Sequence, residues 1–373
     1  MILILEPNAK PESSDFKTLS SQLDRLPGIK YRVHREVGAE VTLTEIYLIG
    51  NTGALTVEQM QVLPCVARVV RVSEAYRVLG RHAKGDDRST HFDYNGVRFG
   101  QDTLNVFAGL CAVDSRESVE AMMKALQAHG QVCTRMGAYK PRTNPYAFQG
   151  YGAECLPYVF ELAGKYGIKV IAMEITHESH VDEIRAALKA TGDPTGVMLQ
   201  IGTRNTQNFE LLKLVGKQPD FPVLIKRGFG ITLDESLNAA EYLASEGNRK
   251  VVFGLRGMKT NMGDPHRNFV DFAHVPVVKR LTRMPVCIDP SHSVGARSVA
   301  PDGILDIFHV VAQGVIAGAN MVLVDFHPDP AKALVDGPQA LLMSELPHFL
   351  ADVALARETY LQRSALAAKH GAH

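Results

Sequence analysis

Residues 169–173, Lys-Val-Ile-Ala-Met, and 196–200, Gly-Val-Met-Leu-Gln, are short apolar runs separated by a long amphipathic segment. Such an alternation reads as strand, helix, strand. Working outward, it starts near residue 103 and recurs along the rest of the chain. The runs are Asn105–Ala108, Gln131–Arg135, Lys169–Met173, Gly196–Gln200, Pro222–Ile225, Lys250–Leu255, Pro285–Ile288 and Ala319–Val324. Eight strand candidates, mostly followed by helical stretches, are what an α/β fold of the (β/α)8 TIM-barrel type requires. A doubly wound open sheet is the other architecture with this rhythm, but no Gly-x-Gly-x-x-Gly turn follows the first strand.

The first hundred residues follow another order. Met1–Leu5, Tyr31–Arg35, Ile46–Ile49 and Val66–Val72 suit short strands, and Phe16–Leu26 and Val57–Leu63 suit helices. The result is βαββαβ, a small split-βαβ domain. The polar stretch Gly80–Thr90, with Lys84, Asp86, Asp87 and Arg88, and the hairpin signal Tyr94-Asn95-Gly96 form a connector. The expected domains are therefore residues 1–98 and 99–373.

Composition narrows the function. The 40 basic and 40 acidic residues cancel, so no global field favours nucleic acid or an anionic membrane. Hydrophobic residues make up 46%, enough for a sizeable core, yet no stretch approaches the ~20 apolar residues of a membrane span. The N-terminus lacks the features of a secretory signal. Cys65, Cys111, Cys133, Cys155 and Cys287 are scattered and odd in number, which fits a reducing cytoplasm better than a disulfide framework.

Barrel enzymes carry their chemistry at the C-terminal ends of the strands. Two sets of residues fall there. Arg135, Lys140, Arg142, Arg204, Lys226 and Arg256 are cations. Lys140 and Arg142 belong to Lys-Pro-Arg-Thr-Asn-Pro-Tyr-Ala-Phe-Gln-Gly-Tyr-Gly (140–152), a run stiffened by proline. One such cation alone is a solvated surface charge. Six converged at one mouth would bind a multiply anionic ligand such as a phosphorylated carboxylate. The second set, Cys111, His292, Asp325 and Asp336, can hold a first-row divalent ion with a position left for substrate. Taken singly, Cys111 is a small core residue and His292 a satisfied loop histidine.

With these residues assembled, the chain resembles the 3-deoxy-D-arabino-heptulosonate 7-phosphate (DAHP) synthases of the type Iβ subclass. The likeness rests on Gly109-Leu110-Cys111, Lys140–Gly152, Gln200–Asn205, Lys226-Arg227-Gly228, Arg256-Gly257, Asp289–His292, His327–Pro330 and Asp336-Gly337-Pro338-Gln339. It spans essentially the whole chain, and the N-terminal domain looks like the ferredoxin-like extension of some members. The resemblance implies condensation of phosphoenolpyruvate with erythrose 4-phosphate, the first step of the shikimate pathway and of aromatic amino acid biosynthesis.

It further implies that Arg135, Lys140, Arg204, Lys226 and Arg256 hold phosphoenolpyruvate. Arg142 and Thr143, with Asn144 beside them, take the aldose phosphate. Cys111, His292, Asp325 and Asp336 ligate a divalent metal (Mn2+, Fe2+, Co2+ or Zn2+), and Glu174 sits near the reacting carbons. Lys140 is the candidate for proton transfer, with a pKa expected to be lowered by its cationic neighbours. A homodimer or homotetramer and feedback by an aromatic amino acid at the N-terminal domain complete what the resemblance implies.

The chain departs from the family pattern at several places. Asp325 replaces the usual Glu, Leu110 the Pro before the cysteine, and Asn144 the Ser or Thr after Arg-Thr. Leu255 stands where a Glu normally precedes the arginine, as in the Iα subclass, and Thr176–Gly196 is longer than the family needs. These changes motivate two further readings: a related synthase acting on another aldose phosphate, and a catalytically weak, ligand-binding regulatory paralogue.

Overall fold

A computed structural model describes residues 1–371 except 8, 38–41, 72–75, 82–88 and 193–194. Most of the Gly80–Thr90 connector and the last residue of the expected strand Val66–Val72 lie outside the described residues. The chain divides into two compact units, Met1–Asp86 and Asp87–His373.

The N-terminal unit runs β1 (Ile2–Leu5), α1 (Ser14–Asp24), β2 (Ile29–Val37), β3 (Thr42–Gly50), α2 (Val57–Gln61) and β4 (Val66–Val70). Its antiparallel sheet has the order β2-β3-β1-β4, the split-βαβ arrangement. Ser13 caps α1 by accepting from Phe16 N at 3.2 Å. Phe16, Leu19 and Leu23 then fall on one face and pack against Leu3, Leu5, Ile46 and Leu48.

The larger unit opens with a hairpin, β5 (Phe92–Tyr94) and β6 (Val97–Phe99). Its turn, Asn95-Gly96, has positive φ at both residues (48° and 78°), the conformation that this dipeptide favours in two-residue hairpins. The barrel strands and helices follow in turn: β7 (Asn105–Leu110), α3 (Arg116–Ala128), β8 (Cys133–Met136), α4 (Leu156–Lys165), β9 (Val170–Ile175), α5 (Ser179–Thr191), β10 (Gly196–Ile201) and α6 (Phe209–Gly216). Then come β11 (Val223–Lys226), α7 (Leu233–Ser245), β12 (Val251–Leu255), α8 (Val275–Leu281), β13 (Val286–Ile288), α9 (Pro290–Val294), α10 (Asp306–Ile316) and β14 (Met321–His327). The short β15 (Leu341–Leu342) pairs with β14, and α11 (Leu346–Lys369) ends the chain.

Strands β7 to β14 pair in parallel from neighbour to neighbour, and β14 returns to β7 while β13 meets β14. The sheet closes into an eight-stranded barrel, as the sequence pattern requires. Its side chains fill the interior, as they must in a barrel of this size. One end is sealed by the hairpin: Phe92, Val97 and Phe99 pack on Phe107, Met198, Leu224, Val252 and Leu323. Phe92 and Phe99 stack with ring centroids 5.2 Å apart. Tyr94 Oη accepts from Val197 N at 3.0 Å, and Asn95 Nδ2 donates to Lys169 O at 2.7 Å, which pins the hairpin to the N-terminal ends of β9 and β10. The hairpin is therefore the floor of the barrel rather than part of a connector, and it belongs to the barrel unit. The opposite end, at the C-termini of the strands, stays open as the mouth.

Among the described residues no helix is long and apolar enough to cross a membrane.

Candidate active site

The mouth holds a cavity of about 290 Å³ lined by Lys140, Arg142, Thr143, Asn144, Glu174, Arg204, Lys226, Arg256, Arg267, His292 and Asp336, among others. Strand geometry explains the convergence. Each of these residues ends a strand or lies in the segment that follows one at the same end of the barrel, so the closed sheet brings them to one mouth.

The cations differ in what they already hold. Lys226, buried at the end of β11, donates to Asp289 Oδ2 at 2.5 Å. Arg135, buried at the end of β8, forms an ion pair with Asp325 at the end of β14 and does not line the cavity. Lys140 places Nζ 3.2 Å from Cys111 Sγ and 3.8 Å from Glu174 Oε2. Arg204 Nη2 donates to Thr143 Oγ1 at 3.2 Å. Arg256 is 3% exposed, yet its Nη1 has no hydrogen-bond partner, and Arg142 Nη1 is likewise buried and unpartnered. Burial, reinforced by Arg267 and Arg204, pushes the Arg256 pKa down to about 10. A buried guanidinium hydrogen without an acceptor is costly, and an anion in the cavity relieves that cost.

Lys140 corrects one expectation. Burial does work against its ammonium, but Cys111 and Glu174 outweigh burial and raise its pKa rather than lower it. It stays protonated at neutral pH and is suited to donate a proton, not to take one up.

The metal-capable side chains lie beside this cluster. One ligand atom each from Cys111, His292 and Asp336 lies within 4.8 Å of the others. Cys111 Sγ is 3.1 Å from Asp336 Oδ2 and 3.7 Å from His292 Nε2, and His292 Nε2 is 3.4 Å from that same Oδ2. A sulfur, an imidazole nitrogen and a carboxylate oxygen so close together suit a first-row divalent ion. Asp325 stands behind the three. Its carboxylate pairs with Arg135, accepts from Gln339 Nε2 at 2.6 Å and is 3.7 Å from His292 Nδ1. One methylene shorter than Glu, it reaches the guanidinium and the amide rather than joining the group of three.

Carboxylates on both sides of the imidazole set its charge. Burial works against the imidazolium, but Asp289, Asp325 and Cys111 outweigh it and push the His292 pKa up to about 10. Asp289 Oδ1 faces His292 Nδ1 at 3.0 Å and also accepts from His292 N at 3.2 Å, capping α9. For Asp336, burial favours the neutral acid. His292, Lys140 and Arg267 overcome it and hold the carboxyl far below the usual carboxylate range. By contrast, Cys133 lies in the barrel interior with its thiol pushed up to about 12 by burial, an inert position.

Three participants were not singled out as site residues from the sequence. Arg267 donates to Asp336 Oδ1 at 3.1 Å and to Gln339 Oε1 at 2.8 Å. Gln339 passes that constraint to Asp325, and Asp289 joins Lys226 to His292. The Asp289–His292 spacing hints at the last of these. Arg267 lies in an aperiodic loop that carries no local signal.

Fold and site together define a TIM-barrel enzyme that binds a phosphorylated anion beside a metal-competent group of three ligands. Residues 81–360 match the DAHP synthetase I family, and the chain belongs to that family. It is 34% identical over 341 residues to the phospho-2-dehydro-3-deoxyheptonate aldolase of Thermotoga maritima, covering 91% of this chain and 93% of the relative. A crystal structure of the Thermotoga maritima protein aligns with a TM-score of 0.68 at 31% identity over 96% of both chains. A 2-dehydro-3-deoxyphosphooctonate aldolase from a Bradyrhizobium strain is 28% identical over 68% of this chain and 88% of the relative.

Proposed function

We propose that this barrel mouth carries out the DAHP synthase reaction: phosphoenolpyruvate, erythrose 4-phosphate and water give a seven-carbon phosphorylated keto acid and inorganic phosphate. The chain is then a transferase of the shikimate pathway. The observation that carries the reading is the pair of buried, unpartnered guanidinium nitrogens, Arg142 Nη1 and Arg256 Nη1, at a cavity already rich in cations.

The residues divide into a donor and an acceptor side. Arg256, Lys226 and Arg204, with Lys140 beside them, hold the carboxylate and phosphate of phosphoenolpyruvate, and Arg135 supports them from behind. Arg142 and Thr143 receive the phosphate of the aldose. The Arg204–Thr143 hydrogen bond couples the two sides, so the enol ester and the aldehyde are held within reach. A divalent ion held by Cys111, His292 and Asp336 supplies Lewis acidity toward an aldehyde oxygen.

The enol carbon forms the new bond to the aldehyde carbon, and Lys140 gives the proton that the resulting oxygen needs. Positive character then develops at C2 of the former enol ester. Glu174, 3.8 Å from Lys140, faces that charge and takes a proton from the water that adds there. The hemiketal phosphate then breaks its carbon–oxygen bond while its hydroxyl proton passes to the departing phosphate, which leaves the keto group. Inorganic phosphate departs toward Arg256 and Lys226. An aromatic amino acid effector at the N-terminal unit, a homodimer or homotetramer, and a cytoplasmic location belong to the same reading and rest on the family likeness alone.

Phosphate release from phosphoenolpyruvate, measured with erythrose 4-phosphate across Mn2+, Co2+ and a chelator, tests the reading. A five-carbon aldose phosphate serves as the comparison, because an eight-carbon product would need it. Release only with the four-carbon acceptor supports the assignment, and none with any acceptor or metal sinks it. Cys111→Ala should abolish metal-dependent turnover while Cys65→Ala leaves it intact.

A further inference from the structure

The turn after β11 reads Lys226-Arg227-Gly228-Phe229-Gly230, and the proposed chemistry gives no role to its aromatic residue. Phe229 is only partly buried, at the rim of the mouth. Three cations gather round its ring: Arg256 Cζ lies 4.7 Å from the centroid, Arg204 Cζ 5.5 Å and Lys259 Nζ 6.0 Å. Like charges gathered this closely repel one another, and Arg204 and Arg256 both line the cavity. Arg256 is the most exposed to this penalty, since it is buried and its Nη1 lacks a hydrogen-bond acceptor.

An aromatic face carries negative potential and attracts a cation within about 6 Å of its centroid, most strongly where water is excluded. The turn fixes the ring in place. Gly230 takes a left-handed φ of 64°, and Gly228 N donates to Ser236 Oγ at 3.4 Å on α7.

We propose that Phe229 is a positioning residue whose ring, with Lys259 also gathered to it, holds Arg204 and Arg256 converged on the cavity. It sets the affinity for the donor's anionic groups without touching the reacting atoms. In assigning those groups to phosphoenolpyruvate, the inference rests on the proposed function; the convergence itself does not.

The test replaces Phe229 with 4-fluoro-, 3,5-difluoro- and 3,4,5-trifluorophenylalanine, which drain the ring face with little change of shape, alongside Phe229→Leu and Phe229→Tyr. Dissociation constants for phosphoenolpyruvate and for inorganic phosphate are measured by calorimetry, together with KM and kcat. A graded weakening is expected along the fluorinated series, reaching about tenfold, with Leu at the weak end and Tyr close to wild type. KM for phosphoenolpyruvate should rise in step while kcat holds. Equal affinity across the fluorinated series would overturn the proposal, whatever Leu does, because packing alone would then explain the residue. If phosphoenolpyruvate fails to bind the wild type while inorganic phosphate follows the same series, the proposed function fails and the role of Phe229 stands.

Discussion

Binding of a divalent ion at Cys111, His292 and Asp336 should expel a proton from His292, and affinity should climb steeply with pH. In the metal-free protein the His292 pKa lies at about 10, held there by Asp289 and Asp325 against the effect of burial. An imidazole must be neutral to ligate. At pH 7.5 the bound proton therefore costs the metal roughly 3 kcal/mol, at 1.36 kcal/mol per pKa unit. An ordinary histidine, near 6.5, would impose almost nothing at that pH. Through this proton alone the association constant should rise about tenfold per unit between pH 7 and 9.

The same shift works in the opposite direction for the metal-free fold. Stability from the imidazolium is fully present below an unfolded value near 6.5 and is lost as the pH rises through about 10. Calorimetry with Mn2+ in two buffers of unlike protonation enthalpy counts the protons released. Cys111→Ser makes the count specific, because its hydroxyl does not titrate in this range and one proton should still leave. No proton released from that variant at pH 7.5, or an affinity flat with pH, would refute the argument and mean that His292 is already neutral.

Three further outcomes follow from the geometry. Arg135→Met leaves the carboxylate of Asp325, which is fully buried, without its cation; Gln339 offsets part of the loss, so unfolding should become easier by about 3 kcal/mol, and adding Asp325→Asn should restore more than half in a urea titration. At Gly202 an added Cβ would sit 1.9 Å from Glu174 Oε1, the far end of a flexible side chain. Gly202→Ala should therefore lower kcat on the order of tenfold while shifting the melting midpoint by only a few degrees. Asn144 spends its Oδ1 on Tyr146 N at 3.0 Å, a turn that serine also makes. Asn144→Ser should change KM for the aldose phosphate by less than about threefold.

The barrel was legible because its strands are buried on both faces and so read as unbroken apolar runs. The same rule explains where that reading stops short. β9 continues through Glu174 to Ile175 and β14 through Asp325 to His327, since polar side chains facing the mouth end an apolar run without ending a strand. The hairpin at Phe92–Phe99 was visible as a turn. Its role as a floor was not, because nothing local says that Phe92, Val97 and Phe99 meet Phe107 inside the barrel.

The candidate site was legible as residue types at strand ends. Its pairing was not. Arg135 and Asp325 lie 190 residues apart, and only closure of the sheet makes them neighbours. Likewise, the cations near Lys140 could be foreseen, but Cys111 and Glu174, which reverse its expected pKa, come from the ends of other strands.

The closure of β14 onto β7 also dictates when this protein becomes competent during synthesis. Cys111 leaves the ribosome early, whereas Asp336, its neighbour at 3.1 Å, follows 225 residues later. Domains generally fold as units, from the N-terminus onward as the chain emerges. The small N-terminal unit is complete long before the barrel is. No shortened nascent chain can assemble the three-ligand cluster, so the thiol cannot capture an ion in this geometry until the eighth barrel strand docks beside the first.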